Sequence, residues 1–247
     1  MRYFIELSYN GKAYHGWQNQ PNAISVQEVV EKALSTLLKS PMTIVGAGRT
    51  DTGVHAKQMF AHFDTDLEFD NKSLTFKLNS FLPKDIAIHS IFEVNGEVHA
   101  RFDAISRTYI YKLSLSKNAF TFDSAYYIKM NLVQEQMQRA SSLLLNYKNF
   151  KCFSRSNSDV KTYNCDIKKA EWKAIGDEFE FTIKADRFLR NMVRAIVGTL
   201  LEIGQGKIKV EELNKIIESQ DRSQAGPSVP AHGLYLMEIE YPKSIKK

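Results

Sequence analysis

The order in which strand-like and helix-like segments alternate constrains this chain more than any other feature. Arg2 to Tyr9, rich in Tyr, Phe and Ile, reads as a strand. Asn10-Gly11 then opens a polar loop that runs to Ile24. Ser25 with Glu28 makes a capping box, and Val29, Val30, Ala33, Leu34, Leu37 and Leu38 follow at helical spacing. A short strand is expected over Met42 to Val45, another over Gln58 to Phe63, a helix near Asp70 to Phe81, and a fourth strand over Ile86 to Val94. That order, βαββαβ, is the split βαβ pattern of ferredoxin-like and RNA-recognition folds.

The second half repeats the order without repeating residues. Thr108 to Ser114 alternates as a strand, and Leu132 to Leu145 is helical in spacing. Asp166 to Ala174 and Glu178 to Lys184 form a hairpin across Gly176-Asp177. Arg187 to Ile203 reads as an apolar helix stopped near Gly204, Val210 to Glu218 as a shorter helix, and Leu234 to Tyr241 as a closing strand. The expected class is α+β, with two ferredoxin-like halves, 1–104 and 105–247. No Pro/Ser-rich linker separates them, so they are expected to share one core.

Composition narrows the class of molecule. At 43% apolar and 25% charged, a chain of 247 residues is neither disordered nor fibrous, and is long enough for a sizeable core. No apolar stretch approaches the roughly 20 residues that span a bilayer. Glu6 interrupts the place where a signal peptide needs its apolar centre, so a cytoplasmic protein is expected. Cys152 and Cys165 alone make neither a disulfide framework nor a zinc site, and read as small core residues. Lys plus Arg is 33 against 28 Asp plus Glu, a net charge of +5. That balance suits a polyanionic partner and equally suits a solvated surface.

Four segments could hold chemistry. The densest is Gly46 to Ala56, GAGRTDTGVHA, where three glycines permit a tight backbone course around Asp51. A carboxylate held there suits a nucleophile or general base; the bland alternative is a cap bonding backbone amides. In Tyr9 to Gln20, YNGKAYHGWQNQ, aromatics alternate with donors and could stack on bases, although a Trp17 packed on the core is the better reading of the loop alone. Arg107, Tyr109 and Tyr111 share one face of the strand that opens the second half. Arg187, Arg190 and Arg194 would share a helix face, suited to a phosphate or a carboxylate partner, or forming a solvated stripe. The histidines lack metal-ligand spacing, and no phosphate loop, GxGxxG fingerprint or GxSxG elbow occurs. Metal chemistry is therefore poorly supported, and no nucleotide fingerprint stands out.

Taken together, YNGKAYHGWQNQ, GAGRTDTGVHA, HARF (His99 to Phe102), SRTYIY, FLRNMVRAIVG and AGPSVPAHGLYLMEIEYP resemble the tRNA pseudouridine synthase A family, in family order from Tyr9 to Pro242. The resemblance implies that Asp51 is the catalytic nucleophile, that Arg194 pairs with it, and that Tyr109 stacks on the target uracil. It implies that Arg49 contacts the RNA and helps hold the target nucleotide out of its stack, and that Leu234 lines the site. It implies isomerisation of uridines 38, 39 and 40 in the anticodon stem-loop, without metal or organic cofactor, by a homodimer that the tRNA spans. The implied fold is two α/β halves around a continuous, mostly antiparallel sheet, flanked by helices, with a basic cleft between them. Asn10 replaces a common Asp, Lys117-Asn118-Ala119 lacks a common proline, and Cys165 stands where an arginine is common. The residues leave two other readings open: an RNA-binding module without catalysis, and a synthase for other tRNA positions. A metal-dependent nuclease is a third and weaker idea, because no second carboxylate is evident near Asp51.

Overall fold

The computed structural model describes residues 1–155, 160–245 and 247. They form two compact units, Met1–Ile105 with Tyr235–Lys247, and Ser106–Leu234. Both are α+β, with mostly antiparallel strands and helices packed on them. Among the described residues no helix is long and apolar enough to cross a membrane.

In the first unit, β1 (Arg2–Tyr9) lies between β3 (His55–Asp64) and β4 (Ile86–Val94), antiparallel to both. The two-residue β2 (Val45–Gly46) pairs antiparallel with β3 through His62 and Ala61. The order β4-β1-β3-β2 is the split βαβ arrangement expected from the sequence. α1 (Val26–Leu38) starts where Ser25 Oγ accepts the Glu28 N–H, and buries Val26, Val30, Ala33 and Leu34. α2 (Asn71–Phe81) is capped by Asp70, whose carboxylate accepts the Ser73 N–H.

The strand expected over Met42 to Val45 shrinks to Val45–Gly46 because α1 takes the backbone before it. Glu31 accepts the Ile44 N–H at 2.9 Å, Gln27 donates to the Ile44 carbonyl at 2.9 Å, and Ser35 accepts the Met42 N–H at 2.8 Å. Those backbone groups are already satisfied and need no strand partner.

The sequence division places 105–247 in one half, whereas Tyr235–Lys247 packs with the first unit. β9 (Leu234–Glu240) pairs in parallel with β3, Tyr235 against His55 and Leu236 against Ala56. The Tyr241 ring meets Phe4 and Phe60 edge-on, each at 5.3 Å.

In the second unit, β5 (Ser106–Ser114) pairs antiparallel with β8 (Glu178–Ala185), and β8 with β7 (Ile167–Ile175). The predicted β7–β8 hairpin turns at Gly176, φ 58°. β6 (Tyr126–Tyr127), which the sequence does not announce, runs parallel to the end of β5. α3 (Gln134–Leu143) is clamped to β7 by Trp172, whose indole N–H donates to Ser141 at 3.1 Å and whose amide donates to Gln138 at 2.7 Å. α4 (Met192–Gly204) is buried along most of its length, and α5 (Glu212–Ser219) follows.

α4 starts five residues later than the sequence suggests. Asn191 adopts φ 66°, ψ 0°, which a helix cannot include, and the Arg190 carbonyl accepts from Arg155 N–H instead of a helical amide. Arg187, Arg190 and Arg194 therefore do not form one helical stripe. Arg187 lies off the helix, donating to the Thr162 carbonyl at 3.3 Å.

Candidate active site

Asp51 occupies the connection between β2 and β3, half-buried, with Arg49 exposed two residues earlier. The loop 10–20 holds this connection by direct backbone contact. Trp17 N–H donates to the Thr50 carbonyl at 3.4 Å, and Gly53 N–H to the Tyr14 carbonyl at 3.3 Å. The Val54 N–H closes a turn onto the Asp51 carbonyl at 3.1 Å, and the Tyr9 hydroxyl meets Thr50 Oγ1 at 2.9 Å.

Approach this close needs residues without a Cβ. A Cβ at Gly16, whose φ is +91°, would sit 2.2 Å from the Thr50 carbonyl oxygen, and one at Gly11 would sit 2.0 Å from that of Val54. Gly46 lies as tightly against the Trp17 indole. Gly48 differs, since a Cβ there meets nothing within 4 Å. The wall of the loop is fixed too. Gly11 N–H donates to His55 Nδ1 at 3.1 Å, which places the ring proton on Nε2, and the ring stacks on Tyr235 at 4.6 Å.

Trp17 is 1% exposed and Tyr14 4%, so neither is available to a base. Tyr14 donates to Asp85 at 2.8 Å, and burial together with that carboxylate raises its pKa. The aromatic loop is the frame of the aspartate. Asn10 does for this loop what an aspartate would do, accepting the Lys12 N–H at 3.0 Å.

Tyr109, Arg194 and Leu234 belong to the second unit. Tyr109 is half-buried on β5, with the Phe188 ring edge-on at 5.2 Å and 88°. Tyr111, on the same face, is fully buried and donates to the Pro230 carbonyl at 2.8 Å. Burial raises the Tyr111 pKa, the charge of Tyr126 raises it further and Arg194 opposes both, so it remains a neutral donor. Arg194 is half-buried, and Val229 grips it twice. Arg194 Nε donates to the Val229 carbonyl at 2.7 Å, and Val229 N–H returns to the Arg194 carbonyl at 3.2 Å. Leu234 is buried, next to Gly233, where a Cβ would press 2.8 Å onto the Tyr111 ring.

The segment 225–233, part of the motif AGPSVPAHGLYLMEIEYP, docks onto α4. A Cβ at Gly198 of α4 would lie 1.7 Å from the Pro227 carbonyl oxygen. Thr199 accepts the Gly226 N–H at 2.9 Å, and Asn191 donates to Ser228 at 2.6 Å. Arg222 donates to the Ala225 and Gly226 carbonyls and to Ser228. The only sequence signal for this docking was a pair of small residues, Gly198-Thr199, inside an otherwise bulky apolar helix. Cys165 and Cys152 are buried free thiols, each with its pKa pushed up to about 12 by burial. Among the described residues, no group of three or more His, Cys, Asp or Glu side chains is placed to hold a metal ion.

The chain matches the family model described as tRNA pseudouridine synthase over residues 7–103 and 140–242. It is 51% identical to the tRNA pseudouridine synthase A of Parabacteroides distasonis, over 99% of this chain and 97% of that one. The chain belongs to the tRNA pseudouridine synthase family. Other relatives under the same name include that of Bacteroides thetaiotaomicron, at 50% identity over 99% of this chain and 92% of that one. That of Bacillus pumilus is 38% identical over 98% of this chain and 99% of the other. Both framed segments, 46–56 and 187–198 with 225–234, fall inside the regions that match the synthase family.

Proposed function

We propose that this protein isomerises uridine to pseudouridine at positions 38, 39 and 40 of the tRNA anticodon stem-loop, with Asp51 as the reacting carboxylate. The observation that supports this best is the full-length similarity to tRNA pseudouridine synthases. The reaction breaks the N1–C1′ bond, turns the uracil and joins C5 to C1′. The C5 proton leaves to solvent and N1 acquires one, so neither redox change nor net hydrolysis occurs and no cofactor is required. The carboxylate has to be ionised whether it attacks C1′, adds to C6 or removes a sugar proton.

Arg194 is assigned as the guanidinium partner of the reacting carboxylate. Tyr109 is the flat surface that receives the uracil once it has left its stack, a step costing a few kcal/mol. Arg49 is the RNA contact beside the target nucleotide, and Leu234 an apolar wall that confines the detached base. A homodimer acting in the cytoplasm completes the assignment.

Incubation of unmodified tRNA transcripts with the protein, followed by mapping of pseudouridine, tests it. Product at 38, 39 or 40 is expected. Product confined to other positions makes it a synthase of different specificity, and tight binding with no product makes it an RNA-binding module.

A further inference from the structure

The motif His99-Ala100-Arg101-Phe102 has no role in the site above, yet its turn is braced by hydrogen bonds from within and from beneath. His99 Nδ1 accepts the N–H groups of both Arg101 (3.0 Å) and Phe102 (3.4 Å). The Asp103 carboxylate accepts the His99 N–H at 2.6 Å, and Asp103 N–H returns to the His99 carbonyl at 3.1 Å. From beneath, His62 Nδ1 accepts the Ala100 N–H at 3.1 Å, Tyr241 donates to the Ala100 carbonyl at 2.5 Å, and Arg2 donates to the Val98 carbonyl at 3.1 Å.

What the bracing presents is two side chains directed outward. Phe102 is 74% exposed, with one side of its ring on the His99 imidazole at 4.3 Å. Arg101 is exposed, its guanidinium carbon 5.7 Å from the centre of the same ring. A large aromatic left in water forgoes the free energy of its burial. The chain holds it there with the His99 imidazole tilted against one side at 36° and the Arg101 guanidinium over the ring.

We infer that the turn 99–102 is an RNA-binding element, in which Phe102 stacks on an unpaired or splayed nucleobase of the tRNA and Arg101 meets an adjacent phosphate. The inference rests on the tRNA reading above and adds a contact outside its site residues. An aromatic plane beside a guanidinium is the chemistry that recognises single-stranded nucleic acid. A protein partner meeting the same patch would have to bury Arg101 opposite an acid. The net charge of +5 and the family's substrate favour the polyanion.

Filter binding of tRNA to the full-length protein tests this, with thermal melting and sedimentation run alongside. Phe102→Ala is expected to raise the Kd about five-fold or more, the range of one lost base stack. Phe102→Trp should stay within about two-fold of the original, since the plane is kept. Arg101→Gln should weaken binding and reduce the slope of log Kd against log salt by about one. The same losses should appear in the Asp51→Asn background, which separates binding from turnover; if the unsubstituted protein binds tRNA through Phe102 but makes no pseudouridine, this inference stands and the proposed activity falls. An unchanged Kd in folded Phe102→Ala overturns the inference. So does a Phe102→Ala protein whose Kd loss is matched by a shift in sedimentation, which would make the patch a contact between copies of the chain.

Discussion

Asp51 owes its position to residues that lack a side chain. Gly16 and Gly11 let two stretches of backbone touch, and Thr50 and Gly53 are hydrogen-bonded on either side of the carboxylate's own residue. Gly16→Ala introduces both a clash with the Thr50 carbonyl and a positive φ. It is expected to lower stability by at least about 2 kcal/mol and activity by more than the loss of folded protein explains. Gly48→Ala, where the space is open, should leave the melting temperature within about a degree, since strain and crowding are both absent. Melting curves of the two variants side by side check the distinction. Equal losses would mean that the glycines serve flexibility and not contact.

The elements α4 and 225–233 form a second such frame, and its weak point is Gly198. Gly198→Ala should cost about 1–3 kcal/mol by pushing the Pro227 carbonyl off the helix, and should disturb Arg194 through Val229. Tyrosine and arginine variants that leave this docking intact should not melt early. The turn braced by His62 carries a separate expectation. Burial first, and then the positive charges of Arg2 and His99, lower the His62 pKa to about 4, while an unfolded histidine titrates near its ordinary value. Between those two values the unfolded chain binds the extra proton, so stability falls as pH drops from about 6.5 toward 4. The melting temperature should decline over that window, and His62→Gln should flatten the decline.

Much of this was legible at the level of elements. The βαββαβ order of the first unit, the Ser25 cap and the Gly176 turn follow from local chemistry, and the structure has them. The misses share one cause. Met42–Ile44 is taken from the sheet by Glu31 and Gln27, and Arg187–Arg190 is taken from the helix by Asn191 and Arg155, whereas the packed Trp17 is as the loop's sequence favours. In both misses a partner distant in sequence supplied the hydrogen bond, and periodicity carries no record of such partners. The motifs were legible as a set; which of their residues are frame and which face the substrate was not.

For the whole molecule, a net charge of +5 on a protein that handles tRNA predicts affinity that falls steeply with salt. Titrations between about 50 and 200 mM salt should show a linear fall of log affinity against log salt. A flat response would leave the recognition to neutral contacts. The central claim concerns one carboxylate, and release of tritium from tRNA labelled at C5 of uridine reads it most directly. Asp51→Asn is predicted to melt and bind tRNA like the original protein while releasing no tritium above background. Turnover in that variant at a rate near the original would contradict the account.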